Sequence, residues 1–240
     1  MPLKLQRWTD MINNLRARPL KQKEISNNNI FELSTNNPKQ IDKSNNVHIA
    51  HIFEIKENEE LYIHSQFNDN AFAIICNEFF LNFIEKSKRV DFSYYYFSED
   101  NKVKIYLYDM KKTFSGIDMI IYLVEQWKQS IKTAQACVVQ LDDYYIDTIQ
   151  LGIITENNDV DGRIRDLEPI LHPETVSSNV SSFIASKRKA NTSDIIAKSK
   201  LLKGFDEGKV TINGCSYEYD VRLFDNRTYH MYFNDGVLEK

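Results

Sequence analysis

Glycine is scarce in this chain, with 7 residues among 240. So few, so scattered, assemble no Gly-rich phosphate loop, which excludes P-loop and Rossmann chemistry. Cysteine is scarcer, with 3. Cys76, Cys137 and Cys215 lie far apart and form no CxxC pair. Neither a zinc knuckle nor a disulfide framework is expected, and the reducing cytoplasm is the expected compartment. Long apolar runs are also missing. The longest, Ala71 to Cys76, falls well short of the roughly 20 residues a membrane span needs. Met1-Pro2-Leu3-Lys4-Leu5-Gln6-Arg7-Trp8 lacks the apolar stretch of a signal peptide. Positive charge is not in excess either. The formal net charge is −4, so any contact with nucleic acid has to come from local patches.

What the chain does have is core material: 42% hydrophobic and 12% aromatic residues, enough for one domain of ordinary size. Residues 1–46 read as a helix (Trp8, Met11, Ile12, Leu15) followed by an Asn-rich polar connection. Val47 to Ile55 and Glu60 to Phe67 read as a hairpin. Asp69 to Lys86 reads as a buried helix, with Phe72, Ile75, Phe79 and Phe83 on one side and Glu78, Asn82 and Glu85 on the other. Two strands follow, 91–97 and 103–109, joined through Ser98-Glu99-Asp100-Asn101. Next comes a helix over 116–133. Its apolar stripe is Ile117, Ile120, Ile121, Val124, Trp127 and Ile131, and its polar face carries Asp118, Tyr122, Glu125, Gln126 and Gln129. Ser115, with Asp118 three residues later, resembles a capping box. A strand at 146–154 closes the core. Residues 155–200 are polar and turn-rich, and Val210 to Phe233 returns to strand character, with Asn213-Gly214 and Asp225-Asn226 as turns. The expected organisation is an N-terminal helix and loop (1–46), an α/β core (47–155), and a polar connection with a β-rich C-terminal extension (156–240). The expected fold is α/β, a mixed central β-sheet flanked by helices.

Asp109-Met110-Lys111 ends an apolar strand, Val103 to Tyr108. Asp109 and Lys111 are two apart and share a face of an extended backbone. If 91–97 and 103–109 pair antiparallel, Asp91 at the start of one strand meets Asp109 at the end of the other. Paired carboxylates repel unless a cation lies between them. Mg²⁺ or Mn²⁺ suits such oxygen ligands, lowers the pKa of bound water and stabilises charge on a reacting phosphate. A lysine beside them can orient or deprotonate that water. Glu78 or Glu85 could complete the site, and Gln126 could reach substrate or water. Of the four acid-x-lysine triplets in the chain, only 109–111 combines a preceding apolar strand, an upstream strand acid and a downstream amphipathic helix. The bland alternative is a solvent-exposed pair of Asp109 and Lys111 worth about 0–1 kcal/mol.

Over about residues 70–155 this pattern resembles the PD-(D/E)XK phosphodiesterase superfamily, which includes restriction enzymes, resolvases and RecB-like nucleases. The resemblance implies a restriction-endonuclease-like core and a Mg²⁺- or Mn²⁺-dependent nuclease acting on DNA in preference to RNA. A part in prokaryotic antiviral defence, restriction or repair is implied in the same way. It implies Asp91 and Asp109 as metal ligands, Lys111 serving the attacking water, and Glu78 and Gln126 as auxiliary catalytic residues. Val90 stands where the pattern has proline, Asp109 where glutamate is commoner, and Ser130 where the RecB-like pattern has tyrosine.

Lys187-Arg188-Lys189, with further basic residues nearby, is the candidate phosphate-backbone contact. A homodimer is compatible with cutting two strands. His48, His51 and His64 read as unrelated, because His48 and His51 are three apart and face opposite sides of a strand. Tyr94-Tyr95-Tyr96 offers rings for base stacking, though aromatics on a strand are first of all core. The competing function is a non-catalytic interaction subunit of a larger nucleic-acid-processing or defence complex, docking a partner on strands in 217–233.

Overall fold

The computed structural model describes residues 21–26, 30–34, 43–44, 47–56, 59–67, 73–77, 89–98, 100–112, 117–141, 143–156, 204–234 and 236–239. Before Leu61, at Phe67, over 73–77 and at Ile117, Asp118 and Asp206, it describes the backbone alone.

One residue marks the turn that pairs the middle of the chain. Asn101, at the turn after Phe97, takes a left-handed backbone (φ 63°). Asparagine tolerates this better than most side chains. The turn folds β7 (Phe92–Phe97) back on β8 (Lys102–Lys111), and Phe92 then pairs with Tyr108. Eight strands form the first sheet: β1 (Lys21–Ser26), β2 (Ile30–Ser34), β6 (Ala73–Asn77), β7, β8, β9 (Tyr145–Thr155), β11 (Cys215–Leu223) and β10 (Lys209–Ile212), in that spatial order. β2–β6, β8–β9 and β9–β11 are parallel pairs and the others antiparallel. The parallel step from β8 to β9 needs a crossover, and the helix α1 (Ile117–Val139) provides it. The second sheet has five strands in the order β13 (Val237–Leu238), β12 (Thr228–Asn234), β5 (Glu59–Phe67), β4 (Val47–Lys56), β3 (Lys43–Ser44). The expected 47–67 hairpin is β4–β5, antiparallel along its length.

β7 is buried at every position, as a strand covered on both faces must be. On one face, Tyr95, Val103, Ile105, Leu107, Leu151 and Ile153 pack against Ile120, Val124, Trp127 and Ile131 of α1. On the other, Phe92, Tyr94, Tyr96, Tyr106, Tyr108 and Met110 pack against Leu61, Ile63, Met231, Phe233 and Leu238 of the second sheet. A sheet flanked by helices was the expectation. Among the described residues a helix covers one face and a second sheet covers the other, in an α/β arrangement with mixed sheets.

The buried tyrosines need partners for their hydroxyls. The Tyr106 hydroxyl donates to the Gly236 carbonyl (2.7 Å) and accepts from the Leu238 N–H (3.3 Å). Tyr94 bonds Ser65 of β5. These bonds tie the sheets together. Gly236 has φ 72° and lies against the Tyr96 ring, where a Cβ would collide.

Three further expectations change. Residues 73–77, read within a helix, are a strand, so Cys76 is a strand residue. Residues 21–26 and 30–34, read as polar connection, are strands that pair with each other. The strands in 217–233 were read as exposed docking strands; β11 and β12 are interior strands of the two sheets, with Tyr219, Met231 and Phe233 buried and Leu223 and Tyr232 exposed. The expected helix around Trp8 lies outside the described residues. Among those residues, no helix is long and apolar enough to cross a membrane.

Candidate metal centre

The alternation of β8 sends Tyr106, Tyr108 and Met110 to the second sheet. Asp109 therefore faces α1. It has no exposed surface, which removes the weak solvent-exposed pair as an account of it. Asp91 precedes β7 directly, and the Phe92–Tyr108 register places it opposite Asp109. The Asp91 carboxylate accepts the Met110 backbone N–H at 2.7 Å and stands beside the Asp109 carboxyl. Lys111, two residues along the same face, pairs its ammonium with Asp109 Oδ2, while its own side chain stays 16% exposed.

From α1, Gln126 reaches the same point. Its Nε2 donates to the Arg89 carbonyl (2.6 Å) and to Asp109 Oδ1 (3.3 Å). Gln126 was read on the polar face of the helix; it is buried, next to the fully buried Trp127. One turn on, the Ser130 hydroxyl accepts the Val90 N–H at 3.0 Å. Two helix side chains thus hold the 89–91 segment that carries Asp91. Tyr122, on an exposed part of the helix, lies with its ring 5.9 Å from the Lys111 ammonium.

The electrostatics are acceptor-rich. Gln126 Oε1 is buried with no hydrogen-bond donor, and buried Asp109 Oδ2 has the Lys111 ammonium beside it. Burial pushes the Asp109 carboxyl well above the ordinary carboxylate range; Asp91 beside it raises it further, and Lys111 pulls it back. Two carboxylates against one ammonium leave a local charge of −1 when all are ionised. A divalent cation would offset that charge and turn the cluster positive, which suits a phosphodiester. Carboxylate oxygens are the donors a hard cation takes, and Asp91 and Asp109 are the residues that could hold one. Among the described residues, no group of three or more His, Cys, Asp or Glu is placed to hold a metal ion. Glu78 and Glu85, the candidates for a third carboxylate, lie outside the described residues, as do Lys187, Arg188 and Lys189.

Tyr94, Tyr95 and Tyr96 are all buried, so their rings cannot stack on bases. Sequence reasoning missed Ser130 and Tyr122 as members of this neighbourhood. The signal for both was present: in a helix, 122, 126 and 130 are successive i+4 neighbours. Comparison of the chain with family models, with curated proteins and with solved structures finds no match in any of the three.

Proposed function

We propose that this chain is a metal-dependent phosphodiesterase acting on DNA, with Asp91 and Asp109 binding Mg²⁺ or Mn²⁺ and Lys111 serving the attacking water. The observation that carries this reading is the convergence of Asp91, Asp109, Lys111 and Gln126 from two strands and a helix. The bound cation would lower the pKa of a water and stabilise charge developing on the phosphate. Lys111 is part-exposed at the open side of the cluster. Its ammonium there can balance a phosphate oxygen or, once deprotonated, take a proton from water. Gln126 fixes Asp109 and the 89–91 backbone so that the two carboxylates keep their spacing. The order of parts supports the PD-(D/E)XK resemblance: a strand led by Asp91, an antiparallel strand ending in Asp109-Met110-Lys111, then a helix bearing Gln126. Ser130, which stands where the RecB-like pattern has tyrosine, is used here to hold Val90.

The test is incubation of the protein and its Asp109→Ala/Lys111→Ala variant with plasmid and single-stranded DNA, in Mg²⁺, Mn²⁺ or EDTA. Metal-dependent cutting is expected, reduced by more than about 100-fold in the variant. Mg²⁺ or Mn²⁺ should also raise the melting temperature of the unsubstituted protein. Cutting unchanged in the variant would remove the site. Absence of both cutting and metal-induced stabilisation would leave the non-catalytic interaction subunit as the better reading.

A further inference from the structure

The β7–β8 ladder ends at the pair Phe92–Tyr108, and the β6–β7 ladder ends at the same Phe92, opposite Asn77. Asp91 stands one residue past the last paired position of β7 in both. What holds that last pair therefore bears on where Asp91 stands relative to Asp109. On one face of the sheet, Gln126 and Ser130 of α1 hold residues 89 and 90. Side chains alternate along a strand, and Phe92 and Tyr108 lie on the other face, against the second sheet. Their rings stack there, with centroids 5.8 Å apart and planes at 12°, and both are buried.

The Tyr108 ring is itself held in place. It lies over β9 at Gly152, its partner in the β8–β9 register, where a Cβ would collide with the ring. The φ of Gly152 is not positive, so the missing side chain serves the close approach alone. Across that gap the Tyr108 hydroxyl donates to Asp220 Oδ2 on β11 (3.1 Å). The same oxygen accepts from Gln150 Nε2 (3.3 Å) and Arg222 Nε (2.6 Å). The tyrosine thus spans a whole strand, with Phe92 on one side and an arginine-anchored carboxylate on the other.

We propose that Phe92 and Tyr108 are positioning residues for the metal centre. Their stack, seated on Gly152 and tethered to Asp220, keeps the Asp91 and Asp109 carboxylates together as a pair of metal ligands. The proposal rests on the reading of those two carboxylates as ligands. Both rings lie on the face away from the carboxylates, so each acts through the backbone of the acid next to it in sequence. Supports of this kind, outside the ligands themselves, tune metal affinity by fixing where the ligands point.

The test is a Mn²⁺ titration of the full chain, read by calorimetry at a temperature where the variants are folded, with melting temperatures recorded in EDTA. Phe92→Leu and Tyr108→Leu should each weaken Mn²⁺ binding by about tenfold or more. The double variant should lose little beyond either, since each removes the same stack. Tyr108→Phe keeps both rings and should retain most of the affinity. The control is Tyr106→Leu. Tyr106 lies on the same face of β8, two residues away, buried and bonded to Gly236 and Leu238. Its substitution should lower the melting temperature and leave Mn²⁺ affinity unchanged. Phe92→Leu is the mildest of these changes and keeps the test valid if a Tyr108 variant folds poorly. Affinity unchanged in Phe92→Leu would overturn the proposal while the metal centre stands. An equal loss in Tyr106→Leu would overturn it too, because the effect would then be a general loosening of the fold. No Mn²⁺ binding by the unsubstituted protein would remove the metal centre and the proposal with it.

Discussion

A carboxylate with no exposed surface is costly to ionise, and Asp109 sits next to a second carboxylate as well. One ammonium, that of Lys111, offsets part of this. The folded state therefore holds the Asp109 proton more tightly than the unfolded state does. Between the ordinary carboxylate pKa and the raised one, the folded state binds more protons. The stability contribution is fully present at low pH and is lost as pH rises through that window. Metal-free protein should thus lose melting temperature, relative to Asp109→Asn, as pH rises from 5 toward 8. At the upper end the variant should be the more stable by about 1 kcal/mol or more, since a buried charge has gone and Lys111 can turn to water. Thermal melts of both proteins in EDTA across that range check this, and parallel curves would show that Asp109 is not held protonated. Activity and stability are then opposed at one residue. The juxtaposition of Asp109 with Asp91 could be read from the chain, because two strands joined by a short turn fix each other's register. The burial of Gln126 could not. A glutamine beside Trp127 reads as the edge of a polar face, and only the Arg89 carbonyl and the Asp109 oxygen, both distant in sequence, make burial affordable.

α1 is a brace as much as a crossover. Ser130 accepts the Val90 N–H and Gln126 donates to the Arg89 carbonyl, so the helix determines where β7 begins and where Asp91 stands. Ser130→Ala leaves a buried N–H without its acceptor, at a cost of about 1–3 kcal/mol. It should lower the melting temperature in EDTA and weaken Mn²⁺ binding, although Ser130 touches neither carboxylate. A paired titration of wild type and Ser130→Ala measures both effects, and unchanged Mn²⁺ affinity would show that Asp91 keeps its place without the helix. At this scale the pattern of α1 was legible: Ile120, Val124, Trp127 and Ile131 are the buried stripe that the period requires. β6 was not. Ala73-Ile74-Ile75-Cys76 is a short continuous apolar run, and periodicity alone does not separate such a strand from a turn of buried helix. β1 and β2 were hidden for a different reason. Lys21-Gln22-Lys23-Glu24 has low strand propensity, and β2 is completed by a parallel pairing with β6, far along the chain.

The two sheets are completed by the same late stretch of sequence. β11 extends the first sheet beside β9, and β12 lies beside β5 in the second. Between them, Arg222 on β11 bonds Asp220 (2.6 Å), the Tyr229 hydroxyl (2.7 Å) and the Glu239 carbonyl (3.3 Å). The Tyr108 hydroxyl donates to Asp220 from the first sheet at 3.1 Å. Strand character at 210–233 was visible in the sequence, but the division of those strands between two sheets was not, because the Asp225–Thr228 turn looks like any hairpin. It has a two-residue connection, with Asn226 and Arg227 both at positive φ, yet it passes the chain from one sheet to the other. The consequence is a test by truncation. Removal of residues 228–240 takes away no member of the Asp91–Asp109 cluster. It does remove Met231, Phe233 and Leu238, all buried against Tyr94, Tyr106 and their neighbours. Each such side chain contributes about 1.5–3 kcal/mol, and together they match a large share of the about 5–15 kcal/mol that holds a domain folded. The truncated chain should therefore lose its cooperative melting transition and, with it, any metal-dependent cutting. Retention of a sharp transition would show that the helix-covered half of the first sheet folds without the second sheet, and that the late strands serve some end other than its stability.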